Sequence, residues 1–318
     1  MRCLVTGGAG FIGSHLANKL TALGHEAVVL DKIPVSERDN CVAIKLVEDV
    51  SDYGLLFPRC DWCFHLAALA DVVPSIKNPV EYFRNNVDGT VNILNHCVRS
   101  GVKKFVYASS TSIYGIPEEY PTTELAPAAP QYPYALTKYL AEQCVMSWGK
   151  FYKLPVTSLR MTTVYGPGMK SRGYGSAFKV FMAQKANNAP FTVVGDGRQT
   201  RDFIYVDDVV DAFIKAAESD VKDEVFNIGS GEPRLVTDII KLLGGGEVVQ
   251  IPKRPGEPEQ TWADIVKAYV LLGWEPKVTL EEGMKVMLEH LDDWKEEPVW
   301  TPESIENATR DWFRYLSR

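Results

Sequence analysis

Tyr134 and Lys138 stand four residues apart in the run Tyr134-Ala135-Leu136-Thr137-Lys138. On a helix that spacing is one turn on one face, so a phenol and an ammonium reach the same ligand. A phenol near its reference pKa of about 10 is a poor base at neutral pH. A positive charge beside it favours phenolate, and a shift of two to three units, roughly 3 to 4 kcal/mol, would make it a general base. The same spacing also describes an exposed surface pair, so it needs a companion. Upstream, Tyr107-Ala108-Ser109-Ser110-Thr111-Ser112-Ile113-Tyr114-Gly115 follows an apolar strand. A hydroxyl such as that of Ser110 could there hold a reacting oxygen.

A second group of residues points to a ligand. Gly7, Gly10 and Gly13 in Gly7-Gly8-Ala9-Gly10-Phe11-Ile12-Gly13 follow one expected strand and open an expected helix. Glycines at this spacing allow the tight turn and the close approach of backbone amides to a pyrophosphate on the helix N-terminus. Asp31 closes the second strand about 20 residues further on, where a carboxylate accepts from the ribose hydroxyls of an adenosine and repels a 2′-phosphate. The expectation is therefore NAD rather than NADP, with Lys32 the neighbouring feature that argues the other way. The positive nicotinamide ring of NAD would add to Lys138 in favouring phenolate at Tyr134.

The elements that must position these groups alternate. Short β-branched runs (Leu4 to Thr6, Ala27 to Leu30, Trp62 to Leu66, Phe105 to Ala108, Val156 to Leu159) are separated by helical stretches over 12–23, 79–100 and 132–152. Such alternation predicts an α/β fold, a doubly wound parallel sheet whose strand C-termini deliver side chains to a cleft. Beyond Gly166 the pattern is less regular, with glycine-rich segments at Met169 to Gly175 and Val194 to Arg198, which suits a smaller substrate lobe. Phe203 to Gly229 reads again as helix then strand. The expected division is 1–165 for the cofactor and 166–318 mainly for the substrate, with the segment near 203–229 returning to the main sheet.

Composition limits the alternatives. Hydrophobic residues are 46% and charged residues 24% of 318, the balance of an ordinary globular protein. The formal net charge of -7 disfavours nucleic acid and acidic membranes at long range, although local cations such as Arg201 and Arg254 could still hold a small anion. The chain runs from Met1 directly into the glycine cluster, and no apolar run reaches the roughly 18 to 20 residues that span a bilayer. A cytoplasmic location with no membrane partner is expected, and with it reduced cysteines. Cys60 and Cys63 form a CxxC, but Cys63 lies in an apolar strand and no second pair exists, so no metal is expected. His65 reads as a packed strand-end residue.

Taken together, the fingerprint at Gly7, Gly10 and Gly13, the Ser110 hydroxyl and the Tyr134/Lys138 pair resemble the extended short-chain dehydrogenase/reductase family, in its nucleotide-sugar epimerase branch. The similarity extends through Asp49-Val50, His65-Leu66-Ala67-Ala68, Asn86 to Thr90, Val164-Tyr165-Gly166-Pro167-Gly168, Arg201-Asp202-Phe203 and Trp262-Ala263-Asp264. It implies a Rossmann sheet with a smaller α/β lobe. It further implies that Phe11 and Ile12 flank the pyrophosphate, Asp49 and Val50 contact adenine, Leu66, Ala67 and Ala68 line the pyrophosphate and ribose path, and Ser109 and Asn86 lie along NAD. Ser110 would bind a sugar hydroxyl, Tyr134 would take its proton and Lys138 would hold the nicotinamide ribose. Thr163, Arg201 and Arg254 would meet the diphosphate and Glu257 the nucleoside ribose. Arg160 reads as structural. The helices near 79–100 and 132–152 would pair in a homodimer.

Within this branch the resemblance implies an acidic residue directly after the catalytic hydroxyl for dehydration, a glutamate in the same stretch for decarboxylation and a cysteine for 3,5-epimerisation. Thr111 and Ser112 stand there instead, and neither can protonate a leaving hydroxyl at neutral pH. The expected reaction is inversion at C4 of a nucleoside-diphosphate hexose, glucose/galactose or an N-acetyl form, through a transient 4-keto sugar. A 4-keto-sugar reductase or dehydrogenase is the nearest alternative, and a non-catalytic NAD-sensing protein the alternative from another class. Thr163 and Ala177 depart from asparagines expected near phosphate or sugar, and Thr261 is smaller than the tyrosine expected before Trp262.

Overall fold

The computed structural model describes residues 1–33, 44–47, 49–52, 58–169 and 176–317. Seven parallel strands form the main sheet: β1 (Arg2–Thr6), β2 (Glu26–Asp31), β3 (Ile44–Val47), β4 (Trp62–His65), β5 (Lys104–Ser110), β6 (Val156–Met161) and, from much later in the chain, the strand Glu224–Ile228. Their order is β3-β2-β1-β4-β5-β6 followed by Glu224–Ile228. The order reverses between β1 and β4, and the crevice at such a switch point is where a doubly wound sheet binds its ligand.

Both faces of the sheet are covered, which is why its strands are apolar without interruption. Alternate residues go to opposite cores. Cys3, Val5, Val29, Phe64 and Val106 pack with Leu16 and Leu20 of α1 (Phe11–Ala22) and with Phe213. Leu4, Val28, Cys63, Phe105 and Val156 pack under two helices on the other face, through Ile93, Leu94 and Cys97 of one and Ala141 and Val145 of the other. The doubly wound arrangement expected from the alternation is therefore present.

The helical stretch 79–100 is not one α-helix. It divides into α2 (Val72–Lys77) just before it, α3 (Pro79–Phe83), a π-turn over Arg84–Asp88, and α4 (Gly89–Ser100). Such single π-turns recur at functional sites, and this one buries Asn85 and Asn86. α5 (Pro133–Tyr152) begins with proline, whose missing N–H costs nothing in a first turn.

The rest of the chain is more regular than its sequence pattern suggested. β7 (Thr163–Tyr165), β9 (Thr200–Tyr205) and β11 (Pro233–Leu235) make a three-stranded sheet, and β8 (Phe191–Val194) pairs with β12 (Val248–Ile251); Glu224–Ile228 is β10. α6 (Ala177–Ala186), α7 (Val206–Glu218), α8 (Val236–Leu242), α9 (Val266–Leu272), α10 (Leu280–Glu289) and α11 (Pro302–Leu316) complete the chain. α10 starts with a capping box in which the Thr279 hydroxyl accepts from Glu282 N–H and the Glu282 carboxylate accepts from Thr279. α11 buries Ile305, Thr309 and Trp312 along one face. These capping and amphipathic signals are local. The expected run Met169 to Gly175 lies, from 170 onward, outside the described residues.

Phe203 to Gly229 finishes β9, forms α7 and returns as β10 to pair with β6. Asp208 fastens this return. Its carboxylate accepts from Lys277 and Val278 N–H, each at 3.0 Å, and its carbonyl accepts from the fully buried Trp274 indole at 2.9 Å.

Candidate active site

At the switch point lies a cleft of about 590 Å³. Its floor begins with the β1–α1 turn. Gly7 has φ +70° and a Cβ there would stand 2.7 Å from Ala67 N, while a Cβ on Gly13 would stand 2.2 Å from Gly7 O. Gly10 N–H donates to Gly7 O at 3.0 Å, closing the turn. Gly10 caps α1 with no side-chain hydrogen bond, and the first turn holds no acid, so the N-terminal amides beside Phe11 and Ile12 face the cleft with their positive dipole end uncompensated. A diphosphate fits this cradle, and a methyl group on Gly13 would collide with the Gly7 and Gly8 backbone that shapes it. We expect Gly13→Ala to weaken NAD binding at least roughly tenfold, read by fluorescence titration; unchanged affinity would show that the turn is not the phosphate cradle.

Asp31 and Lys32 border the same cleft. The Asp31 carboxylate accepts from Ala9 and Ile33 N–H, each at 3.0 Å, which aims it from the end of β2 towards the glycine turn. Asp49 and Val50 also line it. Burial pushes the Asp49 carboxyl up, but the N–H and hydroxyl of Ser51 and the charge of Lys32 outweigh this and hold it below the usual range. Leu66, Ala67 and Ala68 form the opposite wall, and Ser109, Ser110, Tyr134 and Lys138 the far corner.

The far corner differs electrostatically from the expectation. Burial raises the Tyr134 phenol; a hydrogen bond with Ser110 works against this, and the charge of Asp71 reinforces it. Lys138, 4% exposed, donates to Ala108 O at 2.5 Å and lies 4.6 Å from the Tyr107 ring centroid. Burial brings its ammonium down to about 7, against the favourable charge of Glu142. In this closed corner desolvation of both groups therefore dominates. Ser110, rather than Lys138, favours the phenolate.

A buried polar chain runs from the cofactor wall to this corner. Ala67 N–H donates to Thr6 Oγ1, which lies 2.6 Å from Nδ1 of His65; Nε2 lies 2.9 Å from Thr90 Oγ1, which donates to Asn86 O. These partners assign the imidazole proton to Nε2. Burial first, and then the Lys138 charge, lower His65 to about 3, so it is a neutral connector, packed as its position in the strand implied. Asn86 does not line the cleft. Its amide accepts from Leu69 N–H and donates to Leu69 O and to Thr137 Oγ1, which in turn donates to Tyr134 O. Asn85 lines the cleft instead, because the π-turn rotates the pair by one extra residue.

Thr163 is also displaced from its expected place: Thr162 and Val164 border the cleft, Thr163 between them does not, as alternation along β7 requires. Arg201, Arg254 and Glu257 come together, but beside the cleft rather than in its walls. Arg254 donates to both oxygens of Glu257 at 2.9 and 2.8 Å, and Arg201 lies 3.5 Å from the same carboxylate. Arg254 also stacks on Trp312, which contacts Tyr132. Asp71, Tyr82, Met161 and Lys179 line the cleft as well, and sequence reasoning missed them. A lone lysine in the apolar run of α6 was the available signal for Lys179.

Arg160 is structural. Its guanidinium donates to both oxygens of Glu142, to the Tyr114 hydroxyl at 2.8 Å and to Glu124 O. Cys60 and Cys63 are buried, and burial pushes Cys60 up to about 12, which leaves it a thiol.

Comparison with known proteins decides the family, because residues 3–229 match the description "NAD dependent epimerase/dehydratase family". The chain belongs to this family. It is 36% identical to a putative UDP-glucose 4-epimerase of Methanocaldococcus jannaschii over 89% of this chain and 95% of that protein. A structure of UDP-glucose 4-epimerase from Thermotoga maritima with UDP-glucose superimposes with a TM-score of 0.88 at 35% identity, over 92% of this chain and 99% of that one. UDP-glucuronic acid 4-epimerase from Bacillus cereus, solved with UDP-glucuronic acid and NAD, gives 0.84 at 32% identity, over 92% and 99%. The glycine turn, Asp31 and the Ser110–Tyr134–Lys138 corner of this family member are thus the features that its α/β fold gathers at one switch point. Among the described residues no helix is long and apolar enough to cross a membrane.

Proposed function

We propose that this chain is an NAD-dependent 4-epimerase of nucleoside-diphosphate hexoses, with a UDP-sugar as substrate. One observation carries the reading: among the described residues the positions directly after Ser110 offer hydroxyls and not a carboxyl. The Thr111 hydroxyl donates to Met161 O at 3.2 Å, and Ser112 is a buried hydroxyl. The cleft carboxylates are Asp31, Asp49 and Asp71. The first two belong to the adenosine end, and Asp71 faces Lys179 at 3.9 Å. Elimination of water therefore has no second acid besides Tyr134 next to the catalytic hydroxyl, whereas oxidation and re-reduction at one carbon needs only the one proton that Tyr134 takes and returns.

NAD, when bound, supplies a reversible hydride acceptor. Ser110 holds the O4 hydroxyl of the sugar, and Tyr134 removes the O4 proton as the carbonyl forms at C4. Ser110 favours the phenolate, and Lys138 holds the nicotinamide ribose. When the 4-keto sugar has turned its other face, Tyr134 returns the proton to the same oxygen. Protons and hydride balance over the cycle. Residues 1–165 with β10 would hold NAD, and the remainder mainly the sugar nucleotide, with Arg201, Arg254 and Glu257 released from one another to grip it. Exposed Leu136, Phe151 and Tyr152 on α5 support a homodimer through α4 and α5, in the cytoplasm.

The test is a panel of UDP-glucose, UDP-galactose, UDP-N-acetylglucosamine and UDP-glucuronic acid, followed through the anomeric proton signals. The expected result is interconversion of one C4 pair by purified protein with no added NAD. A stoichiometric requirement for NADH would assign a reductase instead.

A further inference from the structure

Lys179 occupies a place in the cleft that the mechanism does not use. It lies on α6, in the run Ala177-Phe178-Lys179-Val180-Phe181, between residues of the apolar core, and its side chain is 21% exposed. Burying most of a lysine without a close partner is unfavourable. Among the described residues the carboxylate within ion-pair distance is Asp71, at 3.9 Å. That is a full ångström longer than the 2.7–2.9 Å of a charge-assisted hydrogen bond, so the ammonium keeps its donors for a better acceptor. Asp71 in turn lies close enough to Tyr134 for its charge to act on the phenol. Lys179 therefore stands on the flank of the reacting corner.

The other cations considered, among the described residues, stand elsewhere. Lys138 donates to Ala108 O, Lys32 stands at the end of β2, and Arg201 and Arg254 share Glu257 outside the cleft walls. The glycine turn provides amides for one diphosphate, on the β1 side. A sugar nucleotide brings a second diphosphate, which must leave the reacting corner along the later part of the chain. Among the described residues Lys179 is the cleft cation that this part contributes.

We propose that Lys179 binds the diphosphate of the sugar nucleotide, exchanging its long contact with Asp71 for phosphate oxygens. The inference rests on the sugar-nucleotide reading and adds to that site an anion contact from within the cleft wall. Asp71 holds the ammonium in place until the diphosphate arrives.

Calorimetric titration of the NAD-loaded protein with UDP, GDP and dTDP tests it. Lys179→Met should weaken binding of the preferred diphosphate about tenfold or more, and Lys179→Arg should keep it within about threefold, since both cations take phosphate. Asp71→Asn should tighten it about two- to threefold by removing the competing anion. NAD content should stay the same in all three. Equal affinity of Lys179→Met and the parent protein would overturn the proposal. Loss of NAD with the diphosphate affinity intact would also overturn it, placing Lys179 on the cofactor. So would a Lys179→Met defect seen with UDP-glucuronic acid, titrated alongside, and not with UDP, which would place it on a sugar carboxylate. Binding of none of the three diphosphates by the parent protein would instead remove the functional reading, and the inference with it.

Discussion

Tyr134→Phe should keep NAD and lose turnover by about a thousandfold, within the 10²–10⁴ range of general acid–base groups. The ring of phenylalanine fills the same space in the first turn of α5, so packing is preserved while the proton carrier is removed. The pH dependence should follow from the same corner. Tyr134 must be deprotonated to act, burial raises its pKa and Ser110 opposes that rise, so kcat/KM should climb as pH increases through the phenol's apparent pKa. Ser110→Ala should move that limb to higher pH, because it removes the group that lowers the pKa. Epimerisation at the parental rate by Tyr134→Phe would overturn the assignment of the base. A Ser110→Ala profile with an unmoved limb would show that the serine positions substrate without tuning the phenol.

The second large effect concerns stability. Glu142 is fully buried, Arg160 nearly so, and they meet at 2.6 Å. Glu142 also accepts from Ser158 Oγ at 2.8 Å, so its carboxylate joins α5 to β6. Removing it leaves a guanidinium buried without its counter-charge, which costs about 3–5 kcal/mol. Glu142→Ala should therefore lower the thermal midpoint by roughly 10 °C, measured by circular dichroism with and without NAD. Replacing both partners by apolar residues, Glu142→Leu with Arg160→Met, should recover most of the loss, since a buried pair contributes little net energy over a well-packed apolar one. A midpoint within roughly 2 °C of the parent for the single variant would mean that water reaches the pair.

The two predictions are linked through α5. Glu142 lies one turn beyond Lys138 on that helix, as Lys138 lies one turn beyond Tyr134. Its charge is the influence that keeps the Lys138 ammonium from falling further. The stability of the helix and the protonation of its catalytic side chains thus depend on one buried carboxylate. The network from Ala67 through Thr6, His65, Thr90, Asn86 and Thr137 to the Tyr134 carbonyl holds the other end of the same helix. Such fully satisfied buried chains fix side-chain position more than they add net energy.

The sequence by itself determined what short-range geometry decides. Three glycines around a strand end must form a close turn, a tyrosine and lysine four apart must share a helix face, and uninterrupted apolar runs must be strands covered on both sides; six of the seven strands of the main sheet, all but β3, and the Ser110–Tyr134–Lys138 corner follow. Tertiary structure alone decided the rest, because it depends on contacts between distant segments. The π-turn gives Asn85 to the cleft and Asn86 to the interior. The phase of β7 exposes Thr162 and Val164 instead of Thr163. Glu257 draws Arg201 and Arg254 together outside the cleft, and α6 brings Lys179 to Asp71 across more than a hundred residues. Burial finally reverses the electrostatics of the opening pair: an ammonium beside a phenol lowers its pKa when both are solvated, but here desolvation brings Lys138 down to about 7 and raises Tyr134.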